Sequence, residues 1–408
     1  MADRERWLTS AEAARRLGVQ PATLYAYVSR GLIDRERAVD GRTSRFRHSD
    51  IEAMAAGRSR PGSRKATTGF AVVTTELTHL DDHSLTYRGH DVAELARTCS
   101  FEEVAELLWG TDGAGSTRVG GGRGPTWTAP PFLRDVAMAT AALPPDAHPP
   151  DVLRVGVAAA AAVDDGRFAL DRTSVAATAR RLITTAVLSL QLRRRGPSTG
   201  SIAAMLWPRL TARAPEPADL RTLDSALVLL ADHELATSTV AVRVAASTRA
   251  DPCSCVLSGL GVMSGYLHGG ASAQVHRLLA DARRPEEIRP AFRDLLRAGE
   301  RLPGFGHQVY RVADPRLAPL REAMAASDLL SAGVEMIDAA IESAGISAPP
   351  NVDLCIGALS WAAEMRTDAG AVIFAVARMA GWVAHVIEEY DEAPLRFRAR
   401  AVYAGAGQ

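Results

Sequence analysis

GFGHQVYRVADPR, residues 304–316, decides how this chain is read. It places His307 directly after Gly306, with Arg311 and Arg316 close behind, inside surroundings that are otherwise apolar and helical in pattern. Ionisable groups are expensive in such surroundings unless they serve a purpose. Three more polar clusters of this kind occur: ADHELATSTVAVR (231–243, with His233), GYLHGGASAQ (265–274, with His268) and PPNVDLCIGAL (349–359, with Asp353). His268 precedes Gly269-Gly270, as His307 follows Gly306, and glycine at such places lets a ligand or a backbone come close. Arg378 lies within the apolar run AGAVIFAVARMAGWVAHVIEEY (369–390). Two glycine-flanked histidines, an aspartate after Pro-Pro-Asn-Val and an embedded arginine read together as a site.

Working outward, the pattern from about residue 69 is helical nearly throughout, with glycine and proline breaks. Helical runs include FEEVAELLWG, FLRDVAMATAAL, DVLRVGVAAAAAV, SVAATARRLITTAVLSLQLRRR, DLRTLDSALVLLADHELA, TSTVAVRVAAS and VEMIDAAIESAG, and a short hairpin fits FAVVTTELTHLDDHSLTYRG (70–89). Seven of the fifteen residues from Gly110 to Gly124 are glycine, which cannot hold a helix. GAGSTRVGGGRG there lacks the Gly-Lys-Ser/Thr of a phosphate-binding loop, so the stretch reads as a mobile loop. The body, residues 69–408, is expected to be a large all-α domain.

Length and composition bound the rest. The 408 residues suit two or three domains, and 47 Lys+Arg balance 47 Asp+Glu, which argues against a chain-wide coat for nucleic acid or membrane. No apolar signal peptide opens the chain, and no stretch of eighteen uncharged apolar residues occurs. Cys99, Cys253, Cys255 and Cys355 are too sparse for a disulfide scaffold and lack zinc-ligand spacing, so they read as reduced thiols of a cytoplasmic protein. Cys253 and Cys255 read as small core residues, and His276 as a surface histidine rather than a metal ligand with His268. No membrane contact and no metal site are expected.

The neutral total hides an asymmetry. Residues 1–65 carry 14 basic and 8 acidic side chains, a net of +6, and Lys65 is the only lysine in the chain. Within this basic segment Ser10 reads as the N-cap of a helix over 11–17, with Glu12 in its first turn and Gly18 as its stop. Pro21 opens a second helix to about Arg30, ended by Gly31. Leu8, Ala13, Leu17, Val19, Leu24 and Val28 are the candidate core. IDRERAVDGRTSRFRH (33–48) reads as a hairpin bent at Asp40-Gly41, and Asp50 as the start of a third helix. The order helix, turn, helix, hairpin, helix resembles the winged helix-turn-helix of the MerR/excisionase type over residues 7–57. That resemblance implies DNA contact through residues 1–57, with the second helix in a major groove and Arg42, Arg45 and Arg47 of the wing on phosphates. The alternative is a protein-docking module of the same shape. RSRPGSRKATT (58–68) fits an exposed linker.

From about residue 70 the chain resembles the citrate synthase family. LTYRGHDVAELA (85–96), ADHELATST, LHGGA, GFGHQVYRVADPR, NVD, ARMAGWVAH and RARAVYAG match the motifs of that family in order. The resemblance implies a mainly α, two-lobed body with a small lobe, roughly 230–345, inserted in the large one. It implies condensation of acetyl-CoA with oxaloacetate, then hydrolysis to citrate and CoA. By resemblance Asp353 is the base, His268 stabilises the enolate, and His307 polarises the ketone carbonyl and protonates the alkoxide. Arg316, Arg378 and Arg398, assisted by His233, hold the oxaloacetate carboxylates in bidentate forks, and Arg311 meets CoA phosphate. Arg398 reaches into the partner's site, so a homodimer is implied. No cofactor is called for, the CoA thioester being a substrate.

The chain departs from the family at Ala236, where Asn is usual, and at Ser272 and Ala273, where Asn-Glu is usual. These neighbours of His233 and His268 are positions where lost orienting bonds would slow catalysis. Two other readings stay open: a 2-methylcitrate synthase using propionyl-CoA, and a DNA-binding regulator whose body senses a metabolite.

Overall fold

The computed structural model describes residues 7–17, 19, 24, 28, 33, 35–37, 44–55, 73–111, 127–265 and 270–398. The chain forms two compact units, Met1–Val73 with Ala399–Gln408, and Thr74–Arg398.

In the first unit, strand β1 (Trp7–Thr9) leads into helix α1 (Ser10–Leu17), and strands β2 (Arg35–Arg37) and β3 (Ser44–Arg47) precede helix α2 (His48–Ala55). β3 is the middle strand, antiparallel to β1 on one side and β2 on the other. The expected hairpin is present. β1 is additional, because three residues are too few to show an alternating pattern. Thr9, not Ser10, caps α1: the Glu12 N–H donates to Thr9 Oγ1 at 3.4 Å, and the Glu12 carboxylate accepts from the Thr9 N–H at 2.8 Å. α2 begins at His48, two residues before the expected Asp50. Leu8, Ala13, Ala14, Leu24, Ile33, Phe46 and Ile51 form the small core, with Leu17, Val19 and Val28 against it. Apart from Leu24 and Val28, the expected second helix lies outside the described residues, as do Gly31, the Asp40-Gly41 bend, Arg42 and the 58–68 linker.

The second unit opens on a small antiparallel sheet of β4 (Thr78–Leu80), β5 (Leu85–Tyr87) and β6 (His90–Asp91). Helices α3 (Val92–Thr98), α4 (Phe101–Trp109), α5 (Leu133–Ala141), α6 (Pro149–Val163), α7 (Arg172–Ser189), α8 (Ile202–Leu210) and α9 (Pro217–Leu230) follow. Next come α10 (Thr237–Ser247), α11 (Pro252–Met263), α12 (Ala271–Ala282) and α13 (Pro285–Arg297). α14 (Leu317–Ala325), α15 (Ser331–Ser343), α16 (Val352–Ala362) and α17 (Ala369–Asp391) complete the body. α17 is long and apolar enough to cross a membrane by composition, yet 89% of its most apolar window is buried inside the protein. It packs against α4, α6, α7, α9, α10, α11, α12 and α16, while α12 to α16 also pack among themselves.

The helix expected through ADHELA stops at Leu230. Side chains compete with the helical pattern at that point. The Asp232 carboxylate accepts from the Glu234 N–H at 3.1 Å and from Thr78 Oγ1 at 2.5 Å, and the Tyr87 hydroxyl donates to the Asp232 carbonyl at 3.0 Å. Glu234 then takes a φ of 53°, turning His233 out of the helix. Helices α8, α11, α12, α13, α14 and α16 lie outside the expected helical runs, and in α8, α11 and α13 Pro208, Pro252 and Pro290 interrupt or open the pattern. The glycine-rich stretch lies, from Asp112, outside the described residues.

Candidate active site

A cavity of about 590 Å³ is lined by His233, His307, Arg316, Asp353 and Arg378, so five of the expected site residues share one cleft. His268 lies outside the described residues, with Gly269. Arg311 is exposed and absent from the lining, and Arg398 is exposed at the end of the described body.

The two loops carrying His307 and Asp353 are stitched together. The Gly306 N–H donates to the Pro349 carbonyl at 2.7 Å, the Asn351 N–H to the Gly304 carbonyl at 2.9 Å, and Asn351 Nδ2 to the Gly306 carbonyl at 2.7 Å. Asn351 also caps α16, its Oδ1 accepting from the Asp353 N–H at 3.0 Å. One side chain therefore fixes both loops. Gly304 has φ +79°, and a Cβ there would stand 2.9 Å from that of Leu354, so glycine is required twice over. Gly306 has φ +82° with its nearest neighbour at 3.8 Å. Its φ calls for glycine, while no backbone beyond its own chain neighbours comes close to where a Cβ would stand.

His307 is held in one tautomer. Its Nδ1 accepts from the N–H groups of Val309 (3.1 Å) and Tyr310 (3.2 Å), so the proton of the neutral ring sits on Nε2. Burial, then the Arg316 charge, pushes the imidazole down to about 4, which keeps it neutral near pH 7. Its ring stacks on Tyr310 with centroids 4.6 Å apart and meets His233 edge-on at 5.2 Å. His233 is buried and bonds through Nε2 to the Tyr310 hydroxyl at 3.0 Å. Burial, then Arg316, Arg378 and His307, holds it well below the ordinary histidine range.

Asp353 keeps some exposed surface on the cleft, but the protein packed round it governs its acidity. Burial pushes the carboxyl up to about 6 against the pull of Arg316, with Asp314 adding to the rise and the Ser272 backbone N–H opposing it. That bond uses the main chain, so the serine at 272 leaves it intact. The Ser272 side chain is itself buried, and a Cβ on Gly370 would stand 2.4 Å from its Oγ.

The two arginines differ. Arg316 is buried, and its Nε and Nη2 both bond Asp314 at 2.9 Å, leaving Nη1 for a ligand. Its fork is thus taken by the protein rather than free for a substrate. Asp314 also accepts from the Val352 N–H at 2.9 Å, tying Arg316 to the start of α16. Arg378 is 1% exposed, donates from Nε to the Leu230 carbonyl at 3.0 Å, and keeps a buried Nη2 with no partner. Burial lowers its pKa, with Asp232 opposing. Arg378 also lines the cleft, so its guanidinium places a second buried positive charge there beside that of Arg316.

Residues not singled out in sequence hold this frame: Asn351, Asp314, Tyr310 and Asp232. Asp232 is backed by His385, whose Nε2 lies 3.3 Å from it and whose Nδ1 accepts from Arg243 Nε at 2.9 Å. A Cβ on Gly381 would stand 2.4 Å from the Ala231 carbonyl oxygen, so the glycine of the ARMAG motif admits the turn that bears His233. Ala236 stands at the N-cap of α10 with no side-chain bond, the place where asparagine would cap. His276 is buried, not on the surface, with Nδ1 2.9 Å from Ser360 Oγ, and no cluster of metal-ligating side chains occurs among the described residues. Cys253 and Cys255 are free, buried core residues.

A mainly helical body thus encloses a cationic cleft that holds a neutral imidazole and a carboxyl raised toward neutrality. The citrate synthase, C-terminal domain, family matches residues 66–400, and a helix-turn-helix domain family matches residues 7–59. A citrate synthase of Haloferax volcanii is 35% identical over 83% of this chain and 94% of its own. A 2-methylcitrate synthase of Mycobacterium tuberculosis is 28% identical over 81% of this chain and 88% of its own. The crystal structure of citrate synthase from Thermotoga maritima superposes with a TM-score of 0.65 at 27% identity, covering 85% of this chain and 96% of that one. The chain belongs to the citrate synthase family. It is an enzyme that transfers an acyl group, and it carries a helix-turn-helix domain ahead of that body.

Proposed function

We propose that the protein condenses acetyl-CoA with oxaloacetate and hydrolyses the product thioester to citrate and CoA. The observation that carries this reading is the His307 tautomer: two main-chain donors on Nδ1 leave an Nε2–H for a carbonyl oxygen in the cleft it shares with Asp353. Asp353, with a carboxyl near 6, takes a proton from the acetyl methyl. His268 donates to the thioester oxygen as the enolate forms. The enolate carbon attacks the ketone of oxaloacetate, and His307 delivers its Nε2 proton to the new alkoxide. The unpaired edge of Arg378 and the remaining Nη1 of Arg316 receive the carboxylates, with His233 beside them. Water then cleaves the thioester. This sequence of steps calls for no metal or redox cofactor.

Arg311, exposed, meets CoA phosphate, and Arg398 completes the site of a partner subunit in a homodimer. Four free, buried cysteines accord with a cytoplasmic setting. In the first unit Arg45 is exposed on β3, whereas Arg47 is half-buried with its guanidinium 5.5 Å over the Trp7 ring, so Arg45 is the better phosphate contact. The helix-turn-helix match and the +6 net charge of residues 1–65 support duplex DNA as the partner of that unit.

Thiol release from acetyl-CoA and from propionyl-CoA, each with oxaloacetate, tests the reading. Faster release from acetyl-CoA, abolished in Asp353→Ala, is the expected result. Faster release from propionyl-CoA makes the product 2-methylcitrate. Background rates with ligand binding intact leave only a sensor. Retention of duplex DNA by the full chain, weakening steeply with salt, is the expected result for the first unit.

A further inference from the structure

We propose that a second cavity, on the far side of α17's first turn from the cleft, binds a small anion: a phosphate or carboxylate head on an apolar body. This cavity encloses about 300 Å³, within the range of small-ligand pockets, and shares no lining residue with the cleft. Val372 of α17 lines it, whereas Phe374 and Arg378 line the cleft.

Arg209 is the observation that carries the proposal. It is 8% exposed at the end of α8, with Nη1 donating to the Met205 carbonyl at 2.5 Å. Its Nε is buried without a hydrogen-bond partner, and no carboxylate pairs with it among the described residues. Burial pushes it down to about 10, a range in which the guanidinium still keeps its proton. Unlike a buried lysine, it has no easy neutral form, so a buried guanidinium needs an anion. Asp368, the one carboxylate of the lining, is already held by the Arg366 fork at 3.0 Å on both oxygens, with His148 3.8 Å away. Arg193 adds a further positive charge to the lining, so the cavity is cationic after that pair is discounted. Pro149, Val152, Leu190, Leu210 and Val372 supply apolar walls. A charged head against Arg209 and an apolar body against these walls match both halves of the surface.

The test uses phenyl phosphate and benzoate, which carry the two head groups on one ring, with the full-length protein. Arg378→Met removes the unpaired anion edge of the cleft and serves as the background. Each probe that binds should raise the melting temperature of this background, and adding Arg209→Met should weaken its apparent affinity about tenfold or more. Without probe, Arg209→Met should be no less stable than its parent, since an uncompensated buried charge is removed. Leu192→Glu is a second variant, made at a lining residue that is 52% exposed and tolerant of charge; it should weaken binding in the same direction even if Arg209→Met fails to fold. A gain with phenyl phosphate alone identifies a phosphate site, and a gain with benzoate alone a carboxylate site. Equal affinities in parent and variants overturn the proposal, as does the absence of any gain with either probe.

Discussion

The first unit has no fully buried arginine among its described residues, whereas the body buries several beside its exposed ones. In the first, Arg16 of α1 bonds Glu52 of α2 at 2.7 and 3.0 Å with both side chains open to water, and Arg45 stands exposed on the sheet. In the body, Arg243, Arg316 and Arg378 are each 3% exposed or less. Arg243 meets Glu388 and Glu389, Arg316 meets its own Asp314, and Arg378 meets a carbonyl and keeps a buried Nη2 without a partner. Water screens the first kind and leaves it to act by net charge. Burial magnifies the second and turns it into geometry. The contrast predicts that single changes in the cleft weigh far more than single changes on the module.

Asp353→Asn should weigh most. Removing the proposed base should lower kcat about 10³-fold or more, near the upper half of the range for general base catalysis. In the intact protein kcat/KM should fall about tenfold per pH unit below about 6, where the carboxyl takes up its proton. Stability should move the other way. A folded pKa raised from 3.8 to about 6 contributes stability below the unfolded value and loses it as pH rises through the folded one. Asp353→Asn should therefore melt higher than the parent at pH 8 and close to it at pH 4. A variant that loses both activity and stability at pH 8 would show Asp353 to be a structural residue. His307→Ala should follow at about 10²- to 10³-fold in kcat, the loss typical of one preorganised donor. Tyr310 and Val309 offer their main-chain donors to Nδ1 only, so a solvent-borne imidazole should rescue part of that loss.

Much of this cleft was legible in sequence, and what was not has physical causes. His307, Asp353, Arg316 and Arg378 announced themselves because charge in an apolar run is conspicuous, and the ordered motifs placed them together. Asn351 lay in a quoted motif yet gave no sign of its double role, because stitching two loops depends on a partner 45 residues away. Asp314 lay in a quoted motif without being singled out, and only the fold showed that it occupies the fork of Arg316. The false continuation of α9 through ADHELA has a similar origin: Thr78 and Tyr87, some 150 residues upstream, recruit Asp232 out of the helix. Short-range periodicity carries no record of such competitors. His276 was misplaced because one histidine on a helix reads as exposed until the facing element, here Ser360 of α16, is known.

A smaller effect tests burial in the body away from the cleft. Glu102 is 1% exposed, accepts from the Ile202 N–H at 2.5 Å, and is pushed up to about 7 by burial and then by Asp224. Its proton is held more tightly in the folded chain, so its contribution is present below pH 4.5 and fades as pH rises through 7. Glu102→Gln should stabilise the protein at pH 8 by roughly 1–3 kcal/mol and have little effect at pH 4.5, read as the difference in chemical denaturation at the two values. Ala236→Asn should add about 1 kcal/mol by supplying the missing cap of α10, with no pH dependence.

The smallest expected effect lies on the module and closes the comparison. Arg16→Gln with Glu52→Gln removes both charges of a well-formed pair between α1 and α2, yet keeps the side-chain lengths. Both groups are open to water, where forming a salt bridge replaces hydration that is nearly as favourable and fixes two long side chains. The core of Leu8, Ala13, Phe46 and Ile51 beneath the pair is untouched and holds the two helices by itself. The double variant should thus melt with the parent at moderate salt, and the net charge of residues 1–65 is unchanged by it, so DNA retention should be unchanged too. Arg45→Gln, by contrast, should leave melting alone and lower the salt slope of DNA retention by about one unit. If the Arg16–Glu52 exchange unfolds the module, a surface pair there is acting as buried pairs do in the body, and the division drawn between the two units fails.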